Sequence, residues 1–244
     1  MIDLFKVLFG IGDWMPVIAA LVGAFAAGIV AFAVTRCNER INRHRKLWNG
    51  HYDGLVALLL QLAELRVLLI SNIELVNQVI EAPSQKGGAM QVASVEPHEL
   101  LFDRDILLTL MRNEISNAAF SVLVNMRKAN YDAMMQCRAY ERMCGAMLTK
   151  NLAVEQYGNS LEVFKLGLKR LTVKYDRLFD YLLSLIAMTR VAVKKDDPKK
   201  LHRYFHMPHP ENLTEEAVNG ELKLLREEIE GKRSHGKSSI DKSK

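Results

Sequence analysis

The stretch WMPVIAALVGAFAAGIVAFAVT, residues 14–35, decides the architecture. No residue between Asp13 and Arg36 carries a charge. A helix of this length, rising about 1.5 Å per residue, crosses a hydrocarbon core of roughly 30 Å. A helix also satisfies its own backbone hydrogen bonds, so it is the form a single span takes in lipid. Trp14 lies where an interfacial aromatic is expected, and Pro16 falls in the first turn, where its missing N–H costs least. Trp14 to Val34 therefore reads as a retained transmembrane helix.

Two competing readings are weaker. Ala31-Phe32-Ala33 has the small-x-small form of a signal-peptide cleavage site. However, the region before the apolar run holds Asp3, Lys6 and Asp13, not a basic cluster. A buried core helix would be a cylinder with no polar face at all.

Outward from the span, the flanks differ. Arg36, Arg40, Arg43, Arg45 and Lys46 crowd the C-terminal side. Positive charge close to a span prefers the cytoplasm. The expectation is a single-pass plasma (inner) membrane protein with its N-terminus outside and its C-terminal domain cytoplasmic. Residues 2–12 are apolar and aromatic enough to lie in the outer interface. Within the span, Ala20, Ala24 and Gly28 fall four apart, as do Gly23, Ala27 and Ala31. Such spacing lets helix backbones pack closely, so these six residues are the candidate transmembrane packing face. The span has no polar residue to line a channel.

Beyond the flank the patterning is helical throughout. Leu55, Leu58, Leu62, Leu65, Leu69, Val76 and Val79 follow a three-and-four spacing, with Asn72 interrupting where an apolar residue is due. Leu59, Leu68, Ile73 and Ile80 widen the stripe beyond a two-stranded coiled-coil seam, which fits a bundle. Gly50 and Gly54 before it mark either a hinge or glycines tolerated in one continuous helix. Residues 82–97, APSQKGGAMQVASVEP, form the first clear linker. A second helical stretch, either one long helix or two broken near Asn130, is expected from about His98 to Lys150, with Leu108, Met111, Ile115, Ala118 and Val122 on one face. The third has the cleanest pattern: Leu161, Phe164, Leu168, Leu171, Tyr175, Leu178, Leu182 and Leu185. Asn159 and Glu162, just after Gly158, resemble a capping box at its start, and Asp196-Asp197-Pro198 should end it. A shorter helix, about Thr214 to Glu230, carries Val218, Leu222, Leu225 and Ile229.

The fold class is thus all-α: one N-terminal transmembrane helix, then a cytoplasmic bundle of three to four long helices. The segments are 1–35 for the N-terminus and span, 36–81 for the basic region and first long helix, and 82–97 for the linker. They continue with 98–195 for the bundle, 196–230 for a connector and C-terminal helix, and 231–244 for a disordered tail. The chain of 244 residues has a net charge of +5, which suits an anionic surface without requiring nucleic acid. Its three cysteines, an odd and sparse set, suit a reducing compartment.

Few constellations carry chemistry. His202 and His206 are four apart, the weak metal candidates, with His209 between prolines. The basic-aromatic context KKLHRYFHMPHP fits a connector better than a metal site. Arg203 and His209 have an Arg-x5-His spacing that resembles the Arg-x4-6-His motif of the HEPN ribonucleases, which are also helical bundles. Tyr204 stands where a polar residue usually follows the arginine, so the family is not assigned. Cys137 and Cys144 read as small buried apolar residues. Lys165, Lys169, Arg170, Lys174 and Arg177 form a candidate anion-binding face on the third helix, or simply a solvated one. No nucleotide, zinc or catalytic-triad pattern appears, and no cofactor is implied.

The functional expectation is a membrane-anchored helical scaffold or interaction protein at the cytoplasmic face. Its partners would be membrane lipid and either a second copy or a cytoplasmic protein. A membrane-perturbing or pore-forming effector is the alternative, and a membrane-tethered nuclease a distant third. Nucleic acid binding and enzymatic activity have no direct support in the sequence.

Overall fold

The computed structural model describes residues 14–81, 97–148, 154–198 and 210–240. Most of these residues are helical, with no strand among them. The helices are α1 (Trp14–Glu81), α2 (Asp105–Thr109), α3 (Asn113–Leu148), α4 (Val154–Lys195) and α5 (Glu215–Ile240). The chain divides into two compact units, with a boundary between Asn49 and Gly50.

The first unit contains the N-terminal part of α1. Every described side chain from Ala19 to Arg40 is exposed, Phe25 by 73%. Among the described residues no side chain covers this apolar surface, unlike that of a core helix. Among the described helices, α1 alone is long and apolar enough to cross a membrane. At the end of the apolar run, Thr35 Oγ1 donates to Ala31 O at 2.8 Å, and the Arg36 guanidinium lies 5.5 Å from the Phe32 ring centroid. Both contacts return polar groups to the helix surface where the charge-free stretch ends.

The second unit is a helical bundle. The stripe from Leu55 to Val79 is buried, and so are the eight α4 positions from Leu161 to Leu185. They share one core with Ile115, Ala119, Val122, Met126 and Leu225. Leu65 and Leu69 of α1, Val122 and Met126 of α3, and Leu178 and Leu182 of α4 line one small void together with Leu100. Three long helices therefore meet there, as a wide apolar stripe requires. Helix α5 adds Leu225 to the core and sets Val218 and Leu222 against it.

Asn72 is not a flaw in the α1 stripe. It is fully buried; its Nδ2 donates to His98 O at 2.9 Å and its Oδ1 accepts from His98 N at 2.7 Å. Asn130 of α3 repeats the arrangement on Leu100, at 2.8 and 3.2 Å. Two side-chain amides thus hold the strap at Pro97–Leu100 by its backbone, which blocks helix there. Helix α3 consequently starts at Asn113, not near His98, and runs unbroken past Asn130. Leu108, expected on the α3 core face, is 85% exposed. Asn72→Ala leaves both polar groups of His98 without these partners and should cost about 2–4 kcal/mol, read as a lower denaturation midpoint.

Other boundaries shift for simple reasons. Helix α4 begins at Val154, ahead of the Asn159–Glu162 pair. One interior glycine costs only about 1 kcal/mol, too little to stop a helix whose next turns bury Leu161 and Phe164. It ends at Lys195, just before Asp196-Asp197-Pro198. Helix α5 runs on through Ile240, past Glu230.

Helical structure also continues through Gly50 and Gly54. The two glycines differ in their surroundings. A Cβ on Gly54 would strike Thr109 Oγ1 and come within 3.3 Å of Thr109 Cβ, whereas one on Gly50 meets nothing within 4 Å. Gly54 is needed for close approach to α2. We expect Gly54→Val to lose about 1–3 kcal/mol through overpacking. Gly50→Ala should be neutral or gain up to about 1 kcal/mol, and urea midpoints would separate the two.

Candidate functional site

The most elaborate polar arrangement lies at one end of the bundle. His51 of α1, Arg112 just before α3 and Asp196 just after α4 are buried to 0%, 2% and 3% exposure. Arg112 grips Asp196 with two parallel bonds, Nε to Oδ2 and Nη2 to Oδ1, each 2.6 Å. Its Nη1 donates to Glu211 O at 2.5 Å and to Glu114 Oε1 at 3.2 Å. Glu114 Oε1 also accepts the Leu213 N–H at 3.1 Å. This joins the segment leading into α5 to the same cluster.

The tautomer of His51 follows from its neighbours. The Met111 N–H donates to Nδ1 at 3.0 Å, so Nδ1 is unprotonated. Nε2 then carries the proton and donates to Asp196 Oδ2 at 3.1 Å. Asp196 sits at the C-terminal end of α4, where the helix dipole disfavours a negative charge. Burial pushes its carboxyl up, but hydrogen bonds from His51 and Arg112, together with the Arg112 charge, outweigh burial and hold it below the usual carboxylate range. Both ring nitrogens of His51 are occupied by the protein itself. The cluster is therefore arranged to clamp four segments, not to present a base or ligand to a substrate.

The sequence reading did not bring these residues together, yet each continues an apolar stripe by one step. His51 precedes Leu55 by four, Arg112 precedes Ile115 by three, and Asp196 follows Ala192 by four. Ionisable residues in phase with three core stripes were the available signal.

The expected site residues fare differently. Ala20, Gly23, Ala24, Ala27, Gly28 and Ala31 are all exposed, and added Cβ atoms on Gly23 and Gly28 would meet nothing within 4 Å. Arg36, Arg40, Arg43, Arg45 and Lys46 are exposed, with Arg43 at 3.8 Å from Glu39. On α4, Lys169, Arg170 and Arg177 face solvent. Lys165 does not: it is buried to 9% exposure, because its position lies beside Phe164 and Leu168 near the core stripe. Lys174 is partnered by Asp132 of α3. His202 and His206 lie outside the described residues. Among the described residues no group of three metal-ligating side chains comes together.

A second polar cluster fixes α5. Glu221 is nearly buried and accepts from Lys194 Nζ at 2.5 Å and Arg190 Nη1 at 3.4 Å. The Lys194 hydrogen bond, aided by the charges of Lys194 and Arg190, lowers its carboxyl despite burial. Arg226 of α5 lies 3.8 Å from Asp180 of α4.

Comparison with known proteins gave no family model that matches the chain, and no significant match to a curated protein or a solved structure.

Proposed function

We propose that this chain is a membrane-anchored helical scaffold, with α1 as its anchor and the bundle as an interaction module at the cytoplasmic face. The observation that carries the reading is the charge-free apolar surface of α1, exposed from Ala19 to Val34 and followed by five exposed cations. Such a surface is stable in a bilayer and unfavourable in water. The cations at Arg36–Lys46 set the orientation, N-terminus outside and bundle inside. The two small-residue ridges on the span give a second copy a face to pack on.

Chemical crosslinking in native membranes tests the assembly. Covalent dimers, higher species or adducts with another protein are expected, and a chain that stays monomeric and partner-free would overturn the scaffold role. A C-terminal tag should be protected from protease in intact cells and cleaved in inside-out vesicles. The opposite pattern would reverse the orientation.

A further inference from the structure

We propose that the open groove between α3 and α4 is the docking site for an acidic, amphipathic helix of a partner protein. This deepens the interaction-module reading by naming the surface and the partner chemistry. It does not depend on the anchor.

The groove is a depression of about 670 Å³ whose lining includes Arg142 and Met143 of α3 and Val163, Phe164, Gly167 and Arg170 of α4. Phe164 and Met143 form a mostly buried apolar floor, while Val163 is 71% exposed. Gly167 keeps the groove narrow, since a Cβ there would collide with the Gln136 side chain across it. One turn further along lies a second depression of about 320 Å³, lined by Arg127, Lys128, Tyr131, Asp132 and Lys174. Lys128 to Ala146 spans about 27 Å of helix, which matches a partner helix of roughly five turns.

Charge is sorted across this face. At about 100° per residue, Val163, Gly167, Arg170, Lys174 and Arg177 fall on the groove side of α4. Glu162, Asp176 and Asp180 fall on the opposite flank with Lys169 among them, so it is the carboxylates of α4 that are kept off the groove side. The acid lining the groove is Asp132, already held by Lys174. Cations on both walls over an apolar floor suit a helix with an apolar stripe and flanking carboxylates.

The fold contains a precedent for this occupant. On the other flank of α4, α5 is just such a helix: Leu225 goes into the core and Glu221 is held by Arg190 and Lys194. The α3–α4 side offers matching cations with no helix of this chain among the described residues filling it. A second copy docking symmetrically would set like charges against each other. A nucleic acid would use the cations but leave the apolar floor unmatched, with no aromatic side chain along the larger depression except Phe164 beneath it.

The test uses the full chain in neutral-lipid nanodiscs and a fluorescein-labelled helical peptide of about 18 residues, with leucines on one face and glutamates flanking them. The glutamate peptide should bind, and the double variant Arg142→Glu/Arg170→Glu should weaken it by about tenfold or more, with stronger binding at low salt. Arg142→Lys/Arg170→Lys should retain most of the binding. Both residues are exposed, so unchanged melting curves are expected and certify the fold of each variant. Equal binding of the lysine counterpart peptide would overturn the proposal. So would a parent chain that does not bind the glutamate peptide, or tighter binding of a DNA duplex of similar length, which would reassign the face to polyphosphate. Failure of any of these leaves the membrane extraction and topology results untouched, so the two readings fail separately.

Discussion

Arg112→Met should lower the stability of the bundle by about 3–5 kcal/mol, because it strands the buried Asp196 carboxylate and leaves the Glu211 carbonyl without its donor. Against a total of roughly 5–15 kcal/mol for a folded domain, this loss is severe. A far-ultraviolet thermal melt of the full chain in detergent would show it as a drop of about 10 °C or more. Arg112→Lys should recover little, since an ammonium group cannot reproduce the two parallel bonds to Asp196. A variant within a degree or two of the parent would mean the cluster is incidental.

The same cluster makes a statement about acid. Asp196 has a lower pKa folded than unfolded. Its contribution is therefore fully present above the unfolded carboxylate value, about 3.9, and is lost as pH falls through the lower folded value. Glu221 acts in the same direction. Asp196→Asn should be weaker than the parent at neutral pH, with the gap narrowing as both are taken below about pH 4. A gap that stays constant into acid would assign the loss to packing and not to charge.

The second large effect concerns the anchor. Phe25→Arg combined with Ile29→Arg places two guanidinium groups near the middle of the apolar run. Each costs about 2.5–3.5 kcal/mol at a span centre, so the pair removes roughly 5–7 kcal/mol of insertion free energy. That is more than a thousandfold in the partition equilibrium. The parent should stay in the pellet after alkaline carbonate extraction, and the double variant should move to the supernatant. Ala24→Leu, a larger apolar residue at the same depth, should remain in the pellet. Retention of the double variant would remove the membrane reading.

Periodicity carried the fold because burial in helices follows it closely. Each position of the Leu55–Val79 stripe, and each of the eight from Leu161 to Leu185, lies in the core. Periodicity failed where side chains compete for the backbone. Asn72 and Asn130 hold the strap at His98 and Leu100, so the helix expected from His98 begins only at Asn113. A glycine-and-asparagine signal misplaced the start of α4, since neither residue outweighs the leucines that follow. The site was less legible than the fold. His51, Arg112 and Asp196 are far apart in sequence, and only the packing of three stripes shows that they meet. Lys165 belonged to a run of cations whose shared helix concealed that one of them is buried.

The clamp at the end of the bundle also dictates an order of events during synthesis. His51 leaves the ribosome early, but its carboxylate partner follows 145 residues later. Arg112 waits 84 residues for Asp196 and 99 for the carbonyl of Glu211. Contacts of such separation close late and slowly, after the local helices have formed. The apolar stretch that reads as an anchor is therefore complete long before the bundle can lock, and a nascent chain halted before Asp196 would hold the imidazole and guanidinium without the carboxylate they share. Chaperone protection is most needed in that interval, and chains stalled there should be the preferred substrates of quality-control proteolysis.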